Sequence, residues 1–94
     1  MLMIGEQHDE DGVVFKLAGA LAGAWTGEME RCWRAAADAS VRRRVLVDLT
    51  EVVFVDEAGR ELLAAMARAG AELIAGDVMM KSIVEEIIST ERER

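Results

Sequence analysis

The sequence predicts an α/β domain whose mixed sheet opens with an antiparallel hairpin and continues through crossover helices, in the order β-β-α-β-α-β-α. Three observations carry this. Short apolar runs of strand character alternate with stretches of helical period from residue 13 onward. Ninety-four residues suffice for one hydrophobic core and leave no room for a second, so residues 1–94 read as a single domain. The composition is 52% hydrophobic and 31% charged, which places the chain among folded globular proteins rather than disordered ones.

The first strand is Leu2-Met3-Ile4, followed by a polar stretch from Glu6 to Gly12 that reads as a turn. In the second strand Val13, Phe15 and Leu17 share one face at period two. A helix over Ala24 to Ala39 places Trp25, Met29, Cys32, Trp33 and Ala36 on one stripe, with Glu30 and Arg34 paired on the opposite side. Ser40 to Arg44 form a basic connection. The run Val45-Leu46-Val47 with Leu49 has the character of a central strand covered on both faces, and a second run, Val52 to Val55, comes after it. Asp56 is a natural N-cap for the next helix, whose inner stripe is Gly59, Leu62, Leu63, Met66, Ala67 and Gly70; Gly70 also ends it. Ala71 to Ala75 make a short strand. The last helix, Val78 to Ser89, carries Met80, Ile83, Val84, Ile87 and Ile88 on one side, and Glu91 to Arg94 form a frayed tail.

Charge and residue counts exclude several functions. Eighteen acids against eleven bases give a net charge of −7, which opposes nucleic-acid binding. Arg42-Arg43-Arg44 is the only basic run, and three residues make a solvated connection rather than a phosphate site. One Cys and one His rule out a disulfide framework and a Cys/His zinc site, so no metal or cofactor is expected. The longest uncharged stretch, Leu17 to Gly27, is far short of the ~20 residues a membrane helix needs, so no membrane insertion is expected. A cytoplasmic protein fits these features.

Candidate catalysts are equally scarce. His8 lies in an acidic turn with no nucleophile nearby in sequence. Cys32 sits on an apolar stripe, where a small buried hydrophobe is the simplest reading. The hydroxyl residues Thr26, Ser40, Thr50, Ser82, Ser89 and Thr90 occupy no nucleophile-elbow or phosphate-loop pattern. An enzyme is therefore not expected. The most distinctive feature is acid around one strand-to-helix corner: Asp48, Glu51, Asp56, Glu57 and Glu61 against Arg60 alone. Asp56 and Glu57 meet the positive end of the helix dipole, so capping accounts for both as readily as binding does.

This corner resembles the core signature of STAS domains, the family of bacterial anti-sigma-factor antagonists and sulfate-transporter tails. The matching segments are Val45-Leu46-Val47-Asp48-Leu49-Thr50 and Phe54-Val55-Asp56-Glu57-Ala58-Gly59. Leu17-Ala18-Gly19-Ala20-Leu21 is similar to the family's Leu-x-Gly-x-Leu stretch after the second strand, and Gly70-Ala71-Glu72-Leu73 to its Gly-x-x-Leu segment. The resemblance spans almost the whole chain and implies a STAS-like mixed sheet, short at the C-terminus by the family's final strand and helix, which would leave one sheet edge open. It also implies a protein-binding switch: a kinase that is the anti-sigma factor binds the domain and phosphorylates a Ser at the start of the second helix.

The sequence departs from the family at that residue. Ala58 stands at the phosphorylated Ser, Glu57 at the preceding Ser/Thr, and Ala22 at a position that is commonly acidic. Ala58 cannot accept a phosphoryl group. The expectation is a non-catalytic interaction module that contacts its partner through Asp56, Glu57, Ala58, Gly59 and Arg60, supported by Asp48, Thr50 and Glu61. The exposed face of the second helix joins that surface. Glu57 would stand in permanently, and incompletely, for a phosphorylated side chain. The partner expected from the resemblance is an anti-sigma factor of the serine-kinase type. Other STAS roles are a small subunit docking on the ATPase of a lipid-transport complex, or a holder of nucleotides or lipids. Homodimerisation is a further expectation, through the Met80 to Ile88 stripe if the fold leaves it uncovered.

Overall fold

The computed structural model describes residues 1–39 and 44–92. Its order is β1 (Leu2–His8), β2 (Gly12–Leu21), α1 (Ala24–Ala39), β3 (Arg44–Val55), α2 (Glu57–Arg68), β4 (Glu72–Ile74) and α3 (Val78–Arg92). The strands form one sheet in the order β1-β2-β3-β4. β1 runs antiparallel to β2, while β3 pairs parallel with both β2 and β4. Right-handed crossovers that step in one direction along a sheet put their helices on the same face. The crossover helices α1 and α2 accordingly share one face, and α3 packs against α2 and β3 over the same core.

The core lies between these layers. Val13, Phe15 and Leu17 of β2 are buried, as the period-two pattern requires, with Val47 and Leu49 of β3 beside them. β3 was expected to be covered on both faces, and that expectation fails. Among the described residues helices cover one face, and Leu46 and Asp48 on the other are half-exposed.

Two register shifts against β2, after Lys16 and after Gly19, make Val45 to Leu49 and Val52 to Val55 parts of one strand. Each shift inserts an extra residue into β3 and re-aims the side chains beyond it. Val52 and Val55 therefore turn inward, leaving Val53 68% and Phe54 54% exposed.

The hairpin is longer than its sequence suggests. Glu6, Gln7 and His8 belong to β1, and the turn is confined to Asp9–Asp11, where Asp9 Oδ1 accepts from the amides of Asp11 (2.8 Å) and Gly12 (2.9 Å). The Leu17–Leu21 segment likewise lies inside β2 rather than after it. α1 is rotated from its expected stripe: Thr26 is buried with Met29, Trp33 and Ala36, while Trp25 is 41% exposed and Cys32 half-buried. Glu30 and Arg34 do pair, at 2.8 Å.

α2 keeps closely to its pattern. Gly59, Leu62, Leu63 and Met66 are buried. Its end is a Schellman motif: Gly70, at φ 100°, donates to the Ala67 carbonyl (3.0 Å), and Ala71 donates to that of Met66 (2.9 Å).

β4 is reduced to Glu72–Ile74 and forms one edge of the sheet among the described residues. α3 runs on to Arg92, three residues past the expected end at Ser89, taking in part of the tail. Its apolar stripe is covered: Met80, Val84 and Ile87 are buried, and Ile83 and Ile88 pack against the core. A dimer built on that stripe therefore loses its basis. Of the basic connection, Ser40 to Arg43 lie outside the described residues, as do Glu93 and Arg94 of the tail. Arg44 opens β3 and pairs with Glu72 at 2.9 Å.

Candidate functional site

The corner where β3 hands over to α2 is fixed by one side chain. Asp56 adopts the extended conformation of an N-cap, and its Oδ1 accepts from the Gly59 amide at 2.8 Å. Its Oδ2 accepts from the Gly23 amide at 2.9 Å, thirty-three residues away in the turn between β2 and α1. The Asp56 amide donates to the Leu21 carbonyl (3.2 Å), which closes the connection. One carboxylate thus caps α2 and ties it to the end of β2.

Gly59 completes the joint by close approach. A Cβ there would lie 2.5 Å from the Leu21 carbonyl oxygen and 2.8 Å from Val55 Cγ1. Only glycine lets α2 sit this near β2.

Around this fixed backbone the side chains differ in role. Glu57, Ala58 and Glu61 are exposed. Arg60 is half-exposed and reaches Glu86 of α3 at 3.6 Å. Asp56 is half-buried and both its carboxylate oxygens accept backbone amides, which fixes the surface around it. Asp48 and Thr50 are not at the corner at all. They sit on the helix-free face of β3, separated from Asp56 by enough strand to span roughly 20 Å. There Asp48 Oδ1 accepts from the Thr50 amide at 3.0 Å, and Lys16 is its register neighbour on β2. The expected five-acid cluster therefore divides, with Asp48 and Glu51 on the sheet face and Asp56, Glu57 and Glu61 at the corner.

Exposed apolar groups flank the corner, and nothing in the sequence marks them as surface residues. Val53 and Phe54 immediately precede it in β3, and Trp25 lies two residues beyond Gly23. Phe54 belongs to an apolar run; only the second bulge turns it outward.

Both aspartates are held below the usual carboxylate range. For Asp56 the Gly23 amide is the main cause and the Gly59 amide the next; for Asp48 it is the Thr50 amide, then the Thr50 hydroxyl. A carboxyl depressed in the folded state stabilises the fold above its unfolded pKa of ~3.9, and that contribution is lost as pH falls through the lower folded value. Thermal melts should therefore hold steady from neutral pH to about pH 4 and fall below it. Asp56→Ala should melt several degrees lower at neutral pH, with the two curves drawing together in acid.

The remaining candidates stay bland. His8, at the end of β1, is exposed and pairs with Glu6. Cys32 is half-buried, and its thiol is pushed up, first by burial and then by Glu6 and Glu28, which disfavours the reactive thiolate. Among the described residues, no group of three or more His, Cys, Asp or Glu side chains is placed to hold a metal ion. No helix among them is long and apolar enough to cross a membrane.

Solved structures decide the fold. The anti-sigma factor antagonist SpoIIAA in its unphosphorylated form superposes with a TM-score of 0.69 at 15% identity, over 98% of this chain and 100% of that one. The chain has the SpoIIAA-like, STAS-like fold. An uncharacterized DUF3478-family protein with a SpoIIAA-like fold, from Shewanella loihica PV-4, matches with a TM-score of 0.57 and 18% identity, covering 83% of this chain and 70% of its own. Mglu matches with a TM-score of 0.60 and 21% identity over 78% of this chain, which spans only 19% of Mglu. No family model and no curated protein matches the sequence. In this STAS-like frame, Ala58 stands in the first turn of α2, exposed and without a hydroxyl.

Proposed function

We propose that this chain is a non-catalytic protein-interaction module of the anti-sigma-factor-antagonist kind, docking through the start of α2 onto a cytoplasmic partner. One observation carries the reading. Glu57, Ala58 and Glu61 are exposed on a backbone that Asp56 pins at both oxygens, so a charged surface is presented with little backbone left to order on binding. Arg60 borders that surface, and Gly59 supports it from beneath. The partner that fits best is a serine-kinase-type anti-sigma factor, with basic groups facing Glu57 and Glu61.

Ala58 removes phosphorylation at this loop as a control. Glu57, one residue earlier, supplies a fixed negative charge near the helix N-terminus, with less charge and fewer acceptor oxygens than a phosphoryl group.

The test uses purified kinase-type anti-sigma factor from the same cell. The wild-type protein should bind and take up no phosphate at this loop. Glu57→Lys should weaken binding about tenfold, chiefly through the association rate. The double substitution Glu57→Ser with Ala58→Ser should gain phosphorylation. Unchanged affinity for Glu57→Lys would show that the corner is not the docking surface.

A further inference from the structure

We propose that the helix-free face of the sheet pairs with the same face of a second copy of this chain across a two-fold axis. The observation is a knob beside a hole. Met3 is 66% exposed on this face of β1. Next to it lies an open hollow of about 390 Å³, lined by Met3, Ile4, Gly5, Lys16, Ala18 and Glu51. The hollow exists because Gly5 has no side chain and Ala18 has a single methyl group. The register places Met3 opposite Ala18, Gly5 opposite Lys16, and Ala18 opposite Glu51, so these side chains share one surface.

The rim carries one charge of each sign. A two-fold axis makes every contact occur twice, residue i with j and j with i. Met3 of each copy can then enter the hollow of the other, while each Lys16 meets the opposing Glu51. Sheets packed face to face stand ~10 Å apart, room for one interdigitated layer of side chains and no more. Exposed Ile74 and half-buried Val14 and Leu46 extend the apolar area around this centre. Asp48, the register neighbour of Lys16 within each copy, adds a second carboxylate to this face and also accepts from the Thr50 amide. Since α1, α2 and α3 cover the other face, pairing leaves the start of α2 open in both copies. The dimer would present two docking corners at once.

Sedimentation over a concentration series tests this, with circular dichroism to confirm folding of each variant. Wild-type protein should dimerise as concentration rises. Lys16→Glu and Glu51→Lys should each associate at least tenfold more weakly, because each places like charges face to face. An equimolar mixture of the two should recover 1:1 dimers, since every opposed pair is then of opposite sign. Gly5→Val should be monomeric yet folded: a Cβ at Gly5 meets Lys16 O at 3.6 Å and Lys16 Cβ at 3.7 Å, ordinary contacts that fill the hollow without strain. A wild-type protein monomeric at the highest attainable concentration would overturn the proposal and leave the face to a different protein. Single variants that dimerise like wild type, or a mixture that does not pair, would overturn it as well.

Discussion

Gly59→Ala is expected to destabilise the protein by about 2–3 kcal/mol and to weaken partner binding at the same time. Two effects of opposite sign meet at this residue. Inside a helix, alanine is favoured over glycine by up to about 1 kcal/mol. Against this, its Cβ would sit 2.5 Å from the Leu21 carbonyl oxygen, a backbone atom that cannot rotate away. Relief requires moving the first turn of α2 off β2. That movement would stretch the Asp56 bonds to Gly23 and Gly59, so the proposed docking corner shifts with it. Urea denaturation would read the change as a lower midpoint at an unchanged slope. A stabilised Gly59→Ala protein would show that α2 does not approach β2 this closely.

Phe15→Ala should cost about 3–5 kcal/mol, the largest effect expected of any single truncation in this core. Phe15 is fully buried at the centre of β2 and is register-paired with Val47. Aromatics are only 4% of the chain, so few other side chains of this size are present to close the cavity. Domains of this kind have total stabilities of about 5–15 kcal/mol, and a small one lies toward the low end. The variant should thus be largely unfolded at moderate temperature, while Phe15→Leu should lose less than about 1.5 kcal/mol. Thermal melts of the two, monitored by far-ultraviolet circular dichroism, would check both values. Equal losses would mean that the site tolerates a void, contrary to the packing described.

How much of this was legible in the sequence depended on whether the signal was local. Asp56 as a cap and Gly70 as a stop are chemical requirements of a helix end, and both appear where the sequence put them. The element order came from the change of period alone. The bulges in β3 were not legible, because they arise from pairing with β2, and with them went the outward turn of Val53 and Phe54. In α1, Thr26, Met29, Trp33 and Ala36 have spacings as helical as the stripe that began with Trp25. The hydrophobicity of tryptophan outweighed the pattern, although the fold buries the threonine.

At the candidate site the same division holds. Glu57 and Ala58 lie at the start of α2, as the cap at Asp56 requires. Asp48 and Thr50, close in sequence to the corner, are carried away by the length of the strand. The bond from Asp56 to Gly23 spans thirty-three residues and has no local signature.

Amide hydrogen exchange of the purified protein, alone and with a saturating amount of the kinase-type anti-sigma factor proposed as its partner, tests the proposed docking surface most directly. Added protection should fall on the first two turns of α2 and on the neighbouring turn that contains Gly23, with β1 unchanged. Protection confined to the strands of the open sheet face, with residues 57–61 exchanging as in the free protein, would contradict the account.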